Sequence, residues 1–134
     1  MLTHPPLPNS YLDGYGRMRN GPYYDAVAAY RAGKRGTKYG LLASAPWSYQ
    51  YAMEVVKGRF IDGEPAMVDT HSQEFYALAY ALNCLRSRFL LYEQKLASVA
   101  VSRESLHRSY ALILARNFPD DYDQYVLEHG DWKP

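Results

Sequence analysis

The sequence predicts an all-α protein, a helical bundle of about five helices around one long central helix at about residues 70–100, with an extended N-terminal arm. Two observations predict this class: apolar residues recur in alternating three- and four-residue steps, and proline and glycine stand where helices would begin and end. No segment has a convincing strand pattern. We therefore expect a single helical domain over residues 1–134, with the arm at 1–20 and the helical core at 22–130.

The central helix is predicted from one apolar stripe, which consists of Phe75, Leu78, Leu82, Leu85, Phe89, Tyr92, Leu96 and Val99. Only an α-helix puts such positions on one face, so residues from about Thr70 to Val99 are expected to form one rod. Thr70 and Gln73 have the spacing of a capping box. The flanking positions are mostly apolar, which favours packing inside the chain's own bundle over a coiled coil. A homodimer stays open, because the second apolar face of this helix must also be covered.

Two shorter helices are expected before the stripe. The first begins at Pro22, since proline suits the first helical position, and ends at Gly33. The second runs from Pro46 to Lys57, and Gly58 is its expected left-handed stop. Ser44 or Ala45 is the expected cap of the second helix. The expected inner-face residues are Tyr23, Val27 and Tyr30 in the first helix and Trp47, Tyr51, Ala52 and Val55 in the second.

The remaining segments also carry helix signals. Asp62 and Gly63 are compatible with a small hairpin, but a helix-to-helix connector is the preferred interpretation. A further helix is expected to start at Ser102, with Leu106, Tyr110, Ile113 and Leu114 inside. The last helix is expected at Pro119–His129, because its first turn is acidic and its last residue is a histidine.

Composition limits the classes of function. The chain has 134 residues and is 48% hydrophobic, so it can build a core. Its net charge of +1 is too small to favour binding to nucleic acid or to an anionic membrane. No apolar run approaches the ~20 residues that span a bilayer. The first residues lack the pattern of a signal peptide, so we expect a cytoplasmic protein without membrane contact. Cys84 stands alone and is expected to be a buried, inert thiol.

No catalytic chemistry can be assigned from motifs. The chain has no glycine-rich phosphate loop, and its four histidines are scattered with no metal-ligand spacing. The acidic residues Asp120, Asp121 and Asp123 are explained by their place at a helix start. We therefore expect no catalytic residues, no metal, no cofactor and no enzymatic activity.

Residues 43–67 read ASAPWSYQYAMEVVKGRFIDGEPAM. This segment resembles a degenerate helical repeat of bacteriophage and some bacterial proteins, with Tyr-Ala, then Val-x-x-Gly-Arg-Phe, then Gly-Glu. The matching residues are Pro46, Tyr49, Tyr51, Ala52, Val55, Gly58, Arg59, Phe60, Gly63 and Glu64. The resemblance implies a viral or mobile-element source and assigns no catalytic role to these positions. Arg59 and Glu64 are expected to pair across the connector.

A second, degraded copy of this pattern is predicted 25 residues further on. In it Tyr76–Ala77 takes the place of Tyr51–Ala52. Asn83 then stands where the glycine of a Gly-Arg-Phe stop would be needed. On this alignment the stop is missing, and the helix continues into the stripe.

The sequence therefore favours a small non-enzymatic protein-interaction protein, and the resemblance implies that a phage encodes it. We expect it to bind a host protein as an inhibitor or to serve as a virion or assembly component, in the host cytoplasm or the virion. Fourteen tyrosines without a catalytic motif suit protein interfaces. The alternative is nucleic-acid binding by the basic, tyrosine-rich N-terminal third. The candidate interaction surface is Tyr11, Tyr15, Arg17, Arg19, Lys34, Arg35, Lys38 and Tyr39.

Overall fold

The computed structural model describes residues 4–34, 40–68, 74–97 and 104–129. Within these ranges the protein is mostly helical, and its extended pairing is one isolated bridge between Leu12 and Met18, so the predicted all-α class is confirmed. The α-helices are α1 (Pro22–Arg31), α2 (Ala45–Tyr51), α3 (Glu64–Met67), α4 (Glu74–Tyr80), α5 (Leu90–Ala97), α6 (Glu104–Asn117) and α7 (Pro119–His129). Two π-helical turns, Ala52–Val56 and Ala81–Leu85, continue α2 and α4.

The chain divides into two compact units, Met1–Met67 and Val68–Pro134. The first unit contains α1 to α3 and the second contains α4 to α7. Each unit has buried aromatic residues of its own. The expectation of a single domain over residues 1–134 stays a prediction.

The N-terminal segment is less extended than predicted. A 3₁₀ turn covers Asn9–Tyr11, and the bridge from Leu12 to Met18 follows it directly. The segment lies on its own unit, since Arg31 Nη1 donates to the Pro5 carbonyl at 2.7 Å. A polar side chain of α1 thus satisfies a backbone acceptor beside two prolines.

Helices α1 and α2 begin as the sequence predicts. Pro22 is the first residue of α1, and the Ser44 hydroxyl caps α2 by accepting from the Trp47 amide at 3.2 Å. The expected inner-face residues Tyr23, Val27, Tyr30, Tyr51, Ala52 and Val55 are buried, whereas Trp47 is half-buried. The predicted stop at Gly58 is wrong: Lys57 is the left-handed residue, with φ of 56°.

The segment after α2 is a connector, as preferred, and not a hairpin. A 3₁₀ turn at Ile61–Gly63 leads straight into α3. Gly63 is buried against the Phe60 ring. A Cβ atom at this position would lie only 2.6 Å from two carbons of that ring. The connector therefore passes Phe60 and Ser48 at a distance that only glycine allows at this position.

The predicted long central helix is wrong. α4 passes into the π-helical turn, and at its end the Arg86 amide donates a hydrogen bond to the Ala81 carbonyl at 2.8 Å. Arg86 then takes a left-handed conformation with φ of 53°, which ends the helix, and α5 begins only at Leu90. The apolar spacing continued across this break, so the pattern alone did not reveal it. The expected capping residues Thr70 and Gln73 lie outside the described residues.

The burial pattern of the second unit also differs from the stripe. Phe89, Tyr92 and Leu96 are buried, but Leu78, Leu82 and Leu85 are only half-buried. The residues that α4 and its π-turn bury completely are Ala77, Tyr80 and Ala81. The stripe therefore describes two short helices with different inner faces.

The C-terminal helices follow the sequence closely. α6 ends at Asn117 and buries Tyr110, Ala111 and Leu114, while the expected start at Ser102 lies outside the described residues. α7 has the predicted bounds, with Pro119 in its first position. Over the described residues, every helix is too short or too polar to span a bilayer.

Candidate functional site

Two segments of the chain share one backbone path, 29 residues apart. In the first, the Lys57 amide donates to the Ala52 carbonyl at 2.7 Å and Lys57 is left-handed. In the second, Arg86 repeats both features through Ala81. We call residues 51–67 the first module and residues 80–96 the second module. The predicted second copy at a 25-residue offset is therefore displaced by four residues from the structural one.

Each module encloses the same aromatic pair. The Tyr51 and Phe60 ring centroids lie 5.0 Å apart at 50°, and those of Tyr80 and Phe89 lie 5.0 Å apart at 58°. All four side chains are buried. The chain reversal after each π-turn thus places the phenylalanine back on the tyrosine that precedes the turn.

Each module also holds an ion pair with the same atoms. Arg59 donates from Nε to Glu64 Oε2 at 3.1 Å and from Nη2 to Oε1 at 3.5 Å, as the predicted pairing requires. Arg88 donates from Nε to Glu93 Oε2 at 2.9 Å and from Nη2 to Oε1 at 2.5 Å. Both glutamates are only 3% exposed. Paired, hydrogen-bonded burial is how a protein tolerates such a charge.

Helix α7 covers the ion pair of the second module. Glu128 contacts Arg88 Nη1, and Asp121 Oδ2 accepts from the Arg88 amide at 3.3 Å. The Arg88 side chain is therefore only 14% exposed, whereas that of Arg59 is 63% exposed. The hydrogen bonds that Arg88 donates to Glu93 and Glu128 raise the pKa of Arg88, and the bond accepted from Arg88 lowers the pKa of Glu128.

Glu93 is enclosed by further donors. The Tyr110 hydroxyl donates to Glu93 Oε2 at 2.5 Å and itself accepts from the Phe89 amide at 2.8 Å. His129 Nε2 lies 3.2 Å from Glu93 Oε1. Burial, together with the hydrogen bond to Glu93, raises the pKa of the Tyr110 hydroxyl. A carboxylate this fully engaged holds three helices together and is unsuited to act as a general base.

A second polar cluster contains Tyr11, which the sequence assigned to the interaction surface. Tyr11 is 2% exposed, so that assignment is wrong. Its hydroxyl donates to Glu54 Oε1 at 2.5 Å and is hydrogen-bonded to the Tyr23 hydroxyl. Burial raises the pKa of both tyrosines. The 3₁₀ turn at Asn9–Tyr11 points this side chain inward, which tyrosine spacing alone did not indicate.

Tyr15 and Arg17 stand out from the surface on a short loop. We call residues 12–18 the tyrosine loop. Asp13 Oδ1 accepts from the amides of Tyr15 at 2.8 Å and Arg17 at 3.0 Å, and the Asp13 amide donates to the Arg17 carbonyl at 2.7 Å. Tyr15 is 84% exposed, and the Arg17 guanidinium lies 5.2 Å from its ring centroid. The loop thus presents a tyrosine and an arginine in a fixed shape.

The other predicted surface residues are only partly gathered around this loop. Arg19 is exposed, and its Nε lies 3.5 Å from the Leu12 carbonyl at the base of the loop. Lys34 is exposed after the end of α1. Arg35, Lys38 and Tyr39 lie outside the described residues.

The described residues form no cluster suited to a metal ion, and their one cysteine has a protonated thiol. Among them, no three histidine, cysteine or acidic side chains are grouped so that they could hold a metal ion. Cys84 is half-buried, and burial raises the pKa of its thiol to about 11, which keeps it protonated at neutral pH.

Comparison with known proteins adds no relative. No protein-family model matches the chain, and neither a curated protein nor a solved structure matches it. The resemblance to the phage and bacterial repeat stays a prediction.

Proposed function

We propose that this chain is a small non-enzymatic protein-interaction protein, encoded by a phage, that binds a host protein as an inhibitor or serves as a virion or assembly component. The observation that carries the proposal is the tyrosine loop. Tyrosine and arginine dominate the energetics of protein interfaces, and Tyr15 and Arg17 are both exposed there. The host cytoplasm or the virion is the corresponding location.

The shape of the loop supports binding. Asp13 fixes the backbone of Tyr15 and Arg17 through three hydrogen bonds, so the loop has less conformational freedom to lose when a partner binds. The buried polar clusters support the non-enzymatic part of the proposal. Their ionisable groups are hydrogen-bonded to one another and hold the helices together.

Affinity capture tests this proposal. The tagged chain is incubated with bacterial lysate and with disrupted phage particles, beside a Tyr15→Ala variant. Leu127→Ala is the matched control, because Leu127 is 78% exposed but lies outside the loop. We expect a specific protein to be retained by the parent chain and the control, and retained about tenfold less by Tyr15→Ala. Capture of no protein from either source, or equal capture by all three chains, would contradict the proposal.

Binding of single-stranded nucleic acid is the second candidate. The Tyr15–Arg17 stack favours it, since an aromatic ring beside a cation is how bases are held without sequence preference. Asp13 lies 3.6 Å from Arg17 Nε and reduces the local positive charge, which is why we rank this function second. Titration with a labelled oligonucleotide at two salt concentrations tests it. Real phosphate contacts must weaken steeply with salt, so absent or salt-independent binding would reject this candidate.

A further inference from the structure

The two modules differ in what covers their ion pairs. In the second module, Arg88 uses Nε and Nη2 for Glu93 and offers Nη1 and its amide to α7. In the first module, Arg59 uses the same two nitrogens for Glu64. Among the described residues, no acceptor lies on Arg59 Nη1 or on the Arg59 amide, and the side chain is 63% exposed. The first module thus presents the donors that seat α7 on the second.

We propose that the exposed Arg59 of the first module is a docking site for an acidic helix of a partner protein. The proposal rests on the proposed function as a protein-interaction protein, and it names a second contact surface and the chemistry of its ligand. The partner helix carries carboxylates seven residues apart, like Asp121 and Glu128 of α7. One carboxylate accepts from the Arg59 amide and the other from Nη1.

Charge and spacing both support an acidic helix. Lys57 and Arg59 are both exposed on the first module, and each carries a positive charge that a carboxylate of the partner helix complements. On a helix, residues seven apart lie on one face about 10 Å apart, which lets one helix reach a backbone amide and the end of the same arginine. α7 makes these two contacts on the second module, where Asp121 accepts from the Arg88 amide and Glu128 from Arg88 Nη1.

A neutral or basic helix fits the same surface poorly. An arginine whose Nη1 donates to a carboxylate gains a charge-assisted bond, whereas an uncharged partner would desolvate the guanidinium with a weaker acceptor. The residue after each buried phenylalanine sets no preference between acidic and neutral helices, since Leu90 is 58% exposed and its counterpart Ile61 is 63% exposed. The acidic pair is therefore the specific requirement.

A peptide of residues 118–129 serves as the probe for this site. The peptide is titrated into the ¹⁵N-labelled full chain, and amide and arginine Nε resonances are followed by NMR. We expect saturable shifts of the resonances of residues 57–64 and of Arg59 Nε–H, because the α7 of the chain itself already occupies the second module. A peptide carrying Asp121→Asn and Glu128→Gln is the matched ligand control and should bind at least fivefold more weakly.

A protein variant tests the same contact from the other side. Arg59→Lys keeps a positive charge for the buried Glu64 but loses the planar fork, so it should reduce peptide affinity while the rest of the spectrum is unchanged. Arg116→Lys, at an exposed arginine on α6, should leave affinity unchanged. Equal binding of the acidic and neutral peptides, or shifts centred on residues 86–93, would overturn the proposal.

Two further results separate this inference from the proposed function. If Tyr15-dependent capture succeeds and the peptide fails to bind, only the Arg59 docking site is lost. If the labelled chain alone shows concentration-dependent shifts at residues 57–64 that Arg59→Lys removes, a second copy of the chain occupies the surface. That result would overturn the foreign helix as the occupant.

Discussion

Lys57 and Arg86 end their π-helical turns in the same left-handed conformation, with φ of 56° and 53°. Each amide donates to the carbonyl five residues earlier, at 2.7 and 2.8 Å. The same reversal then brings a buried phenylalanine and an arginine–glutamate pair into place in both modules. In each module a left-handed basic residue therefore reverses the chain so that these contacts can form.

Replacing either left-handed residue with glycine should stabilise the protein. The left-handed region costs a residue with a side chain about 1–2 kcal/mol, while glycine enters it freely. Both side chains are exposed, so little packing is lost. Allowing for the greater chain entropy of glycine, we expect Lys57→Gly and Arg86→Gly each to raise the free energy of unfolding by about 0.5–1 kcal/mol, as measured by urea denaturation.

Gly58→Ala is the control for this prediction, since Gly58 has no positive φ and open space lies around its Cβ position. We expect a change within about 0.5 kcal/mol. If Gly58→Ala were strongly destabilising and Lys57→Gly neutral, the left-handed stop would belong to Gly58 after all.

Gly63→Ala should destabilise the protein clearly. The added Cβ would lie 2.6 Å from the Phe60 ring and 2.9 Å from Ser48 Cβ, and Phe60 is buried against Tyr51. Forcing that ring to move costs about 1–3 kcal/mol, the usual range for overpacking. Chemical denaturation beside Gly14→Ala, where nothing lies within 4 Å, provides the comparison. Equal stabilities of the two variants would show that the ring adapts without cost.

The two buried glutamates should respond differently to neutralisation. Glu93→Gln leaves Arg88 nearly enclosed with half of its charge partners removed, and breaking such a pair costs about 3 kcal/mol. Glu64→Gln leaves Arg59 in solvent contact, so a loss of about 1 kcal/mol is expected. Thermal unfolding of the two variants measures the difference. A larger loss for Glu64→Gln would mean that cover by α7 does not set the strength of the pair.

Alkaline pH should weaken the fold above about pH 10. The pKa values of Tyr11, Tyr23 and Tyr110 are raised, and that of Tyr125 is raised to about 12, all chiefly by burial. Below pH 10 both folded and unfolded forms keep these protons. Above it the unfolded form releases them first, so stability falls by about 1.4 kcal/mol per pH unit for each such tyrosine.

Urea denaturation at several pH values from 9 to 11.5 measures this slope, with tyrosinate absorbance as an independent record of ionisation. Tyr125→Phe should make the decline shallower by about one proton. A stability that stays constant up to pH 11.5 would contradict the buried, protonated state of these hydroxyls.

The short helices could be predicted from the sequence because local signals define them. Pro22 and Ser44 mark the starts of α1 and α2, and the acidic first turn marks α7. These signals act within one turn of helix, so packing does not override them. The pairing of Arg59 with Glu64 could be predicted for the same reason, since only four residues of connector lie between them.

The break at Arg86 could not be predicted from apolar spacing. A π-turn and a left-handed residue redirect the chain between Leu85 and Phe89 without interrupting the three- and four-residue steps. The sequence nevertheless held a signal: Tyr80–Ala81, Arg88–Phe89 and Glu93 have the spacing of the first module. The alignment on Tyr76–Ala77 missed it by one helical turn.

The burial of Tyr11 and the cover of Arg88 by α7 depend on contacts between distant residues. Tyr11 meets Glu54, and Arg88 meets Glu128, 40 residues away. A single sequence contains no local pattern for such pairs. The candidate site could therefore be predicted only where it is local, at Tyr15 and Arg17.

NMR of the backbone around Arg86 tests the central claim, that the predicted long helix is broken at Arg86 by the same chain reversal that Lys57 makes in the first module. A left-handed Arg86 should give a strong intraresidue amide–Hα contact, and helical contacts between residues three apart should stop there and resume at Leu90. Lys57 should show the same signature in the same spectrum. Continuous helical contacts from residue 74 to residue 97 would contradict the two-module account and restore the single long helix.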